Sequence, residues 1–225
     1  MMTKPTRLAV LLGGLGLFAT LPAGATLIVD GLRARAETFA GGVTHSDGPY
    51  LTTPTVSANS SAFDGGSNAY SVAWGDIDGF YGARASVHGN GSSSGEFRRT
   101  WEITNNTLVP QSYSFSFYIY PGRINANDHG LGGEGFAAYE LDILFGGSTL
   151  FHSAAKVEHD GTLTQTGTPL TGATHSGSYY WWSGTSVTLN LGILAPGQTS
   201  LLQYDLVAYA FGKYGIGYCY PESAS

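Results

Sequence analysis

Cysteine is almost missing from this chain, and charge is scarce. A single cysteine, Cys219, stands among 225 residues. One thiol cannot close a disulfide within the chain, so it either pairs between molecules or stays free. The chain is long enough to build a full hydrophobic core without such staples. Charged residues make up 12% of it, about half the usual share, which leaves Ser, Thr, Asn and Gly to do most of the solvating. Catalytic signatures are missing too. The six histidines (45, 88, 129, 152, 159, 175) show no HExxH or other zinc spacing, no GxSxG elbow occurs, and Cys219 has no nucleophile context. No helical period of any length is present.

Basic residues are fewer than acidic ones, 10 against 16. Two of the ten, Lys4 and Arg7, precede an apolar segment from Leu8 to Phe18, followed by Pro22 and the small-residue site Ala23-Gly24-Ala25. That order predicts a secretory signal peptide over 1–25, cleaved after Ala25. The apolar segment is well short of the roughly 20 residues of a spanning helix, so no membrane span is expected after cleavage. The remaining 26–225 has the length of one all-β domain. Its 8 basic and 16 acidic residues give a net charge of −8. With no Lys/Arg cluster longer than Arg98-Arg99, such a surface repels phosphate backbones, and nucleic acid is not an expected partner.

What the chain has in quantity is glycine, 33 residues, about double the usual share of roughly 7%, together with apolar residues in alternation. Val187, Leu189, Leu191 and Ile193 share one parity. Across the loop at Pro196-Gly197, Leu202, Tyr204, Leu206, Ala208 and Ala210 share another. Successive strand side chains point to opposite faces, so these runs predict two paired strands, each with one oily face. The same alternation puts Phe97, Trp101 and Ile103 inward with Arg99, and likewise Tyr113, Phe115, Phe117 and Ile119, and Tyr139, Leu141, Ile143 and Phe145. Tyr70, Val72 and Trp74 form another such face. Leu32 to Phe39 reads as a first or edge strand, its Arg33, Arg35 and Glu37 guarding an exposed edge. Gly41 to Asn68 and Pro121 to Gly135 read as loops, the former with at most a short strand near Val56, and Asn90 to Gly95 as a flexible connection. Gly146-Gly147 and Asp160-Gly161 mark turns. Eight to ten strands at near-regular spacing predict an all-β fold, an antiparallel two-sheet β-sandwich that is jelly-roll-like or Ig-like.

Two constellations could carry binding. Tyr179, Tyr180, Trp181 and Trp182 would alternate in a strand, one pair entering the core and the other lying on the surface, as a platform for sugars or a partner protein, or under a loop; packing of both pairs is the commoner fate of aromatic stripes in sheets. Asp76 and Asp78 lie in one Gly-rich loop, and Asn125, Asn127, Asp128, His129 and Glu134 in another. Of these, Asp76, Asp78, Asn127 and Asp128 are the candidate ligands for Ca²⁺, a hard ion served by oxygen donors. Their spacing matches no EF-hand, and a solvated turn is the commoner use of such residues. Glu140 and Asp142 share an outward strand face and could belong to a glycosidase pair.

The runs WEITNNTLVPQSYSFSFYIYPG (101–122), GFAAYELDILFGGSTLF (135–151) and VTLNLGILAPGQTSLLQYDLVAYAFG (187–212) resemble secreted bacterial β-sandwich proteins of unknown function. Many of those carry a C-terminal PEP-CTERM sorting tag and are linked to exopolysaccharide-producing cell envelopes. The end YCYPESAS lacks the Pro-Glu-Pro, the closing hydrophobic helix and the Arg cluster of tagged members. Two alternatives follow: secretion without an anchor, or a chain that stops short of the tag. The resemblance implies an extracellular matrix or surface component whose partners are polysaccharide or other surface proteins. The alternatives are a secreted jelly-roll carbohydrate-active enzyme and a self-associating structural subunit. If the leader reading holds, N-terminal sequencing of the exported protein reads Thr26 first; an intact Met1 overturns it.

Overall fold

The computed structural model describes residues 19–20, 25–40, 42–50, 55–64, 67–76, 81–126 and 134–220, with backbone alone for 19–20, 25–32, 50 and 214–220. The signal peptide expected over 1–25 falls almost wholly outside the described residues. In chain order the strands are β1 (Ala19–Thr20), β2 (Ala25–Ala40), β3 (Val43–Tyr50), β4 (Thr55–Asp64), β5 (Ser67–Asp76), β6 (Tyr81–Thr104), β7 (Gln111–Ile119) and β8 (Gly122–Asn125). They continue as β9 (Glu134–Phe145), β10 (Ser148–Glu158), β11 (Leu163–Gly167), β12 (Thr174–Ser176), β13 (Tyr179–Trp182), β14 (Thr185–Leu194) and β15 (Thr199–Tyr220). Among the described residues there is no helix, and every strand pairing is antiparallel.

Two long strands explain how the chain folds over itself. A straight strand of 24 residues would reach about 80 Å at roughly 3.4 Å per residue, so β6 has to bend. It does so around Gly89, whose φ of +84° suits glycine. The paired strand β15 shifts register between Gly212 and Gly215, opposite that bend. One half of each strand lies in the layer β3-β2-β6-β15-β9-β10-β11, and the other half pairs with β5 or β8. The first layer faces β4, β5, the first half of β6, β8 and β13, and, at the other end, the separate sheet β1-β7-β14.

The core between these layers changes character along its length. At one end it is built from Ala34, Ala36, Ala58, Ala62, Ala69, Ala73, Ala83 and Ala85, all buried. Side chains this short let the layers meet closely. The Thr38 and Ser60 hydroxyls bond across at 2.9 Å, and the Ser71 hydroxyl donates to the Glu37 carbonyl at 3.1 Å. Gly95 has no room for a Cβ, which would sit 2.5 Å from the Val72 carbonyl oxygen and 2.9 Å from that of Arg84. At the other end the filling is aromatic. Tyr81 stacks on Phe97 at 4.7 Å and tilts against Tyr204 at 5.5 Å. Trp101 meets Phe115 at 5.7 Å, and Phe117 meets Phe151 edge-on at 5.6 Å. Buried Arg99 stands among these rings, donating to the Asp76 carbonyl and to the Tyr81 hydroxyl at 2.6 Å.

The inward faces expected for 97–103, 113–119 and 202–210 are buried as read, and so is that of 139–145 except for Phe145, which is half-buried. Several other expectations are corrected. The stretch 41–68 holds strands β3 and β4, and 121–135 holds β8. Their buried faces are too small or too short to stand out as apolar runs, as Val56, Ala58, Ser60 and Ala62 show. Asn90 to Gly95 is strand, its small residues required by the close layers. In β5 the face is reversed: Ala69, Ser71, Ala73 and Gly75 point in, and Tyr70, Val72 and Trp74 are half-buried outside, because the narrow end of the core cannot admit large rings. Strand β2 is flanked by β3 and β6 and is not an edge. Val187 to Phe211 is not a hairpin either, since β14 pairs with β7 while β15 pairs with β6 and β9. The loop between them crosses from one sheet to the other. Buried Asn105 pins that crossing, its Nδ2 donating to the Leu194 and Val109 carbonyls at 2.8 and 2.9 Å. A bulge at Gly192 (φ +87°) also flips the parity of β14, so Leu194 is buried and Ile193 is 68% exposed.

Emptying a fully buried aromatic site is expected to cost about 3–5 kcal/mol. Trp101→Ala and Phe117→Ala should both show this in urea unfolding, and wild-type midpoints in both would refute the packing. A second expectation concerns alkali. Burial pushes the Tyr81 and Tyr204 phenols up from their ordinary value, with the Arg99 charge pulling Tyr81 partly back. Below pH of about 10 both states keep these protons and nothing is lost. Above it the unfolded chain ionises while the folded chain does not, so stability falls by up to about 1.4 kcal/mol per pH unit for each phenol. The Tyr204 hydroxyl finds no hydrogen-bond partner among the described residues. Tyr204→Phe should therefore keep or raise stability at pH 7 and shallow the loss between pH 10 and 11.5, read from urea midpoints; an unchanged alkaline slope refutes this.

Candidate functional site

The run Tyr179–Trp182 forms β13, between β12 and β8. Alternation divides its four rings. Tyr180 and Trp182 are buried against Tyr139 from the opposite layer, at 6.4 and 4.9 Å. The Trp182 indole N–H donates to the Tyr120 carbonyl at 2.9 Å, and Gln165 donates to the Tyr180 hydroxyl at 2.8 Å. Burial pushes the Tyr180 phenol up, with its hydrogen bonds to Tyr139 and Gln165 pulling the other way. Tyr179 and Trp181 point out, 39% and 40% exposed. Two inward rings thus anchor a short strand that displays two outward ones.

Opposite Trp181 in the ladder stands the exposed Arg123, and opposite Tyr179 stands Asn125. Gly122 lies under the Trp182 ring, where a Cβ would collide with it. Together Pro121, Gly122, Arg123, Tyr179, Trp181 and Trp182 line an open recess of about 200 Å³. Two ring faces beside a guanidinium suit a ligand with both apolar C–H faces and hydroxyl groups.

A second aromatic surface escapes sequence reasoning. On the outer face of the other layer, register sets Phe39 opposite Ser92, Ser92 opposite Phe211, and Phe211 opposite Phe136. The next row contains Glu37, Ser94 and Tyr209. Serines on the middle strand and aromatics on its neighbours make a trough of about 350 Å³. Phe136 and Phe211 stack at 5.6 Å, and the Lys156 ammonium lies 4.3 Å from the Phe136 ring centre. Burial, then the Glu140 and Glu96 carboxylates, push the Tyr209 phenol up. The available signal was the outward rings on three separate strands, but only pairing register puts those rings side by side.

Of the calcium candidates, Asp76 is placed at the end of β5, where its carbonyl accepts from Arg99. Asp78, Asn127 and Asp128 lie outside the described residues. Among the described residues, metal-ligating atoms converge instead at Glu140, Asp142 and His152. His152 Nδ1 is 2.8 Å from Asp142, and its Nε2 is 3.0 Å from the Thr166 hydroxyl. Glu140 and Asp142 are neighbours on one strand face, not a pair opposed across a cleft as glycoside hydrolysis needs. Compared with protein-family models and with curated proteins, the chain matches none.

Proposed function

We propose that this protein is a secreted, non-catalytic β-sandwich, jelly-roll-like or Ig-like in arrangement, that serves at the cell exterior and contacts glycans through Tyr179 and Trp181. The sandwich reading is supported by two antiparallel layers with one aromatic and alanine core between them. Secretion is supported by the charged start, short apolar segment and small-residue site of 1–25. The observation that carries the glycan reading is the division of labour in β13. Tyr180 and Trp182 are spent on the core, while Tyr179 and Trp181 stay 39% and 40% exposed and line an open recess beside Arg123.

The low charge suits a polysaccharide partner, which is met by stacking and hydroxyl hydrogen bonds rather than by ion pairs. The net negative charge turns away nucleic acid. The variant that isolates the contact is Trp181→Ala, since Trp182→Ala would damage the core. On a glycan array the wild type should bind a subset of polysaccharides, and Trp181→Ala should lose at least tenfold in affinity while melting like wild type. No binding by the wild type, or binding unaffected by Trp181→Ala, overturns the reading.

A further inference from the structure

We propose that Glu140, Asp142 and His152 form a binding site for one divalent transition-metal ion, of which zinc is the representative, on the outer face of the β9–β10 pair. The site rests on observations separate from those at β13. Asp142 and His152 are direct cross-strand partners, and Glu140 is the next residue on the same face of β9. The residue opposite Glu140 is Ala154, whose methyl group leaves the carboxylate free to lean toward the imidazole. One ligand atom from each of the three lies within 4.8 Å of the others. Zinc bonds to nitrogen and oxygen of about 2.0–2.2 Å put tetrahedral ligand atoms about 3.4 Å apart. Reaching that spacing takes small side-chain rotations, with no movement of the strands.

The imidazole is held from behind. The Thr166 hydroxyl, on the edge strand β11, lies 3.0 Å from His152 Nε2. A hydroxyl both donates and accepts, so it serves either tautomer. With an ion on Nδ1, the Nε2 proton would be donated to Thr166, the outer support that metal-bound histidines usually have. Beside the cluster, Glu140, Ala154, Thr166, Lys156 and Tyr209 border a hollow of about 160 Å³, room for the water that completes an open site.

Charge favours the same conclusion. Two carboxylates bring negative charge to the cluster, and Glu140 makes no ion pair among the described residues. The cations nearby are engaged elsewhere. Arg98 pairs with Asp205 at 2.5 Å, and Lys156 pairs with Glu158 at 2.5 Å. One nitrogen and two oxygens select zinc, copper, nickel or cobalt; calcium wants six to eight oxygens, and three residues on a flat strand face cannot supply them.

The test is calorimetric titration of zinc chloride into the full chain, prepared without a polyhistidine tag, alongside the variants His152→Ala, Asp142→Asn, Glu140→Gln and His175→Ala. The expected result is saturable binding of one ion per chain, weakened at least tenfold by each of the first three. His175→Ala removes an exposed histidine on β12 and should bind as wild type does. Cobalt should give visible d–d bands that His152→Ala abolishes. Glu140, Asp142 and His152 lie on an outward face and His175 on an exposed strand, so circular dichroism should show unchanged strand content. No saturable zinc binding, binding unaffected by His152→Ala, or an equal loss in His175→Ala would each overturn the site. None of these outcomes touches the glycan reading, which depends on Trp181.

Discussion

A guanidinium enclosed between two β-layers constrains this fold more tightly than any single apolar contact. Arg99 is 1% exposed, and a charge so far from water must be met on every side. It donates to the backbone at the end of β5 and to the Tyr81 hydroxyl in the first half of β6, while itself lying in the second half of β6. The two halves of that strand belong to opposite layers, so the bonds of one side chain tie the layers together. The ring faces of Trp101 and Tyr81, 4.6 and 5.1 Å from the guanidinium carbon, complete the enclosure through cation–π contact. Hydrogen bonds to a charged group are among the stronger ones a core contains. Because they have direction, they set the relative position of the layers, which oily contacts alone leave loose.

The rest of the core adapts to that position. Away from Arg99 the layers close until serine hydroxyls reach the opposite backbone, and the filling is mostly Ala, Ser and Gly with no ring among them. Beyond Trp101 they admit Phe115, Phe117 and Phe151. The low charge and high glycine content thus have a structural use: glycine supplies the bend in β6 and the tight approach at position 95, and Ser and Thr bond between layers as well as to water.

Both aromatic surfaces and the Glu140–His152 cluster lie on outward faces, where side chains are free of the packing demands of the core. In each case the useful grouping runs across strands. Trp181 acquires Arg123 from β8, Phe211 acquires Phe39 and Phe136 from strands far away in sequence, and Asp142 acquires His152 and, behind it, Thr166. Rigid ladders hold these neighbours in place with little conformational freedom left to lose on binding.

By itself the sequence determined the all-β class, the antiparallel habit and four strong inward faces, including that of Arg99, because period-two alternation of large apolar residues records which side of a strand avoids water. It also set Tyr180 and Trp182 on the face opposite Tyr179 and Trp181, while the exposure of the second pair was decided by the tertiary structure. Tertiary structure decided what alternation does not encode. Strands β3 and β4 read as loop because their buried residues are alanine and serine, which carry little hydrophobic signal. The inward face of β5 went to the smaller residues because the opposing layer was close, a fact about β2 and β6 rather than about β5. Val187 to Phe211 looked like a hairpin, since two strands and a Pro-Gly turn look alike whether the chain returns beside itself or crosses to another sheet. Asn105, about ninety positions away in the chain, supplies the bonds that hold the crossing. Cross-strand register, set by pairing over the whole sheet, then chose which outward residues became neighbours.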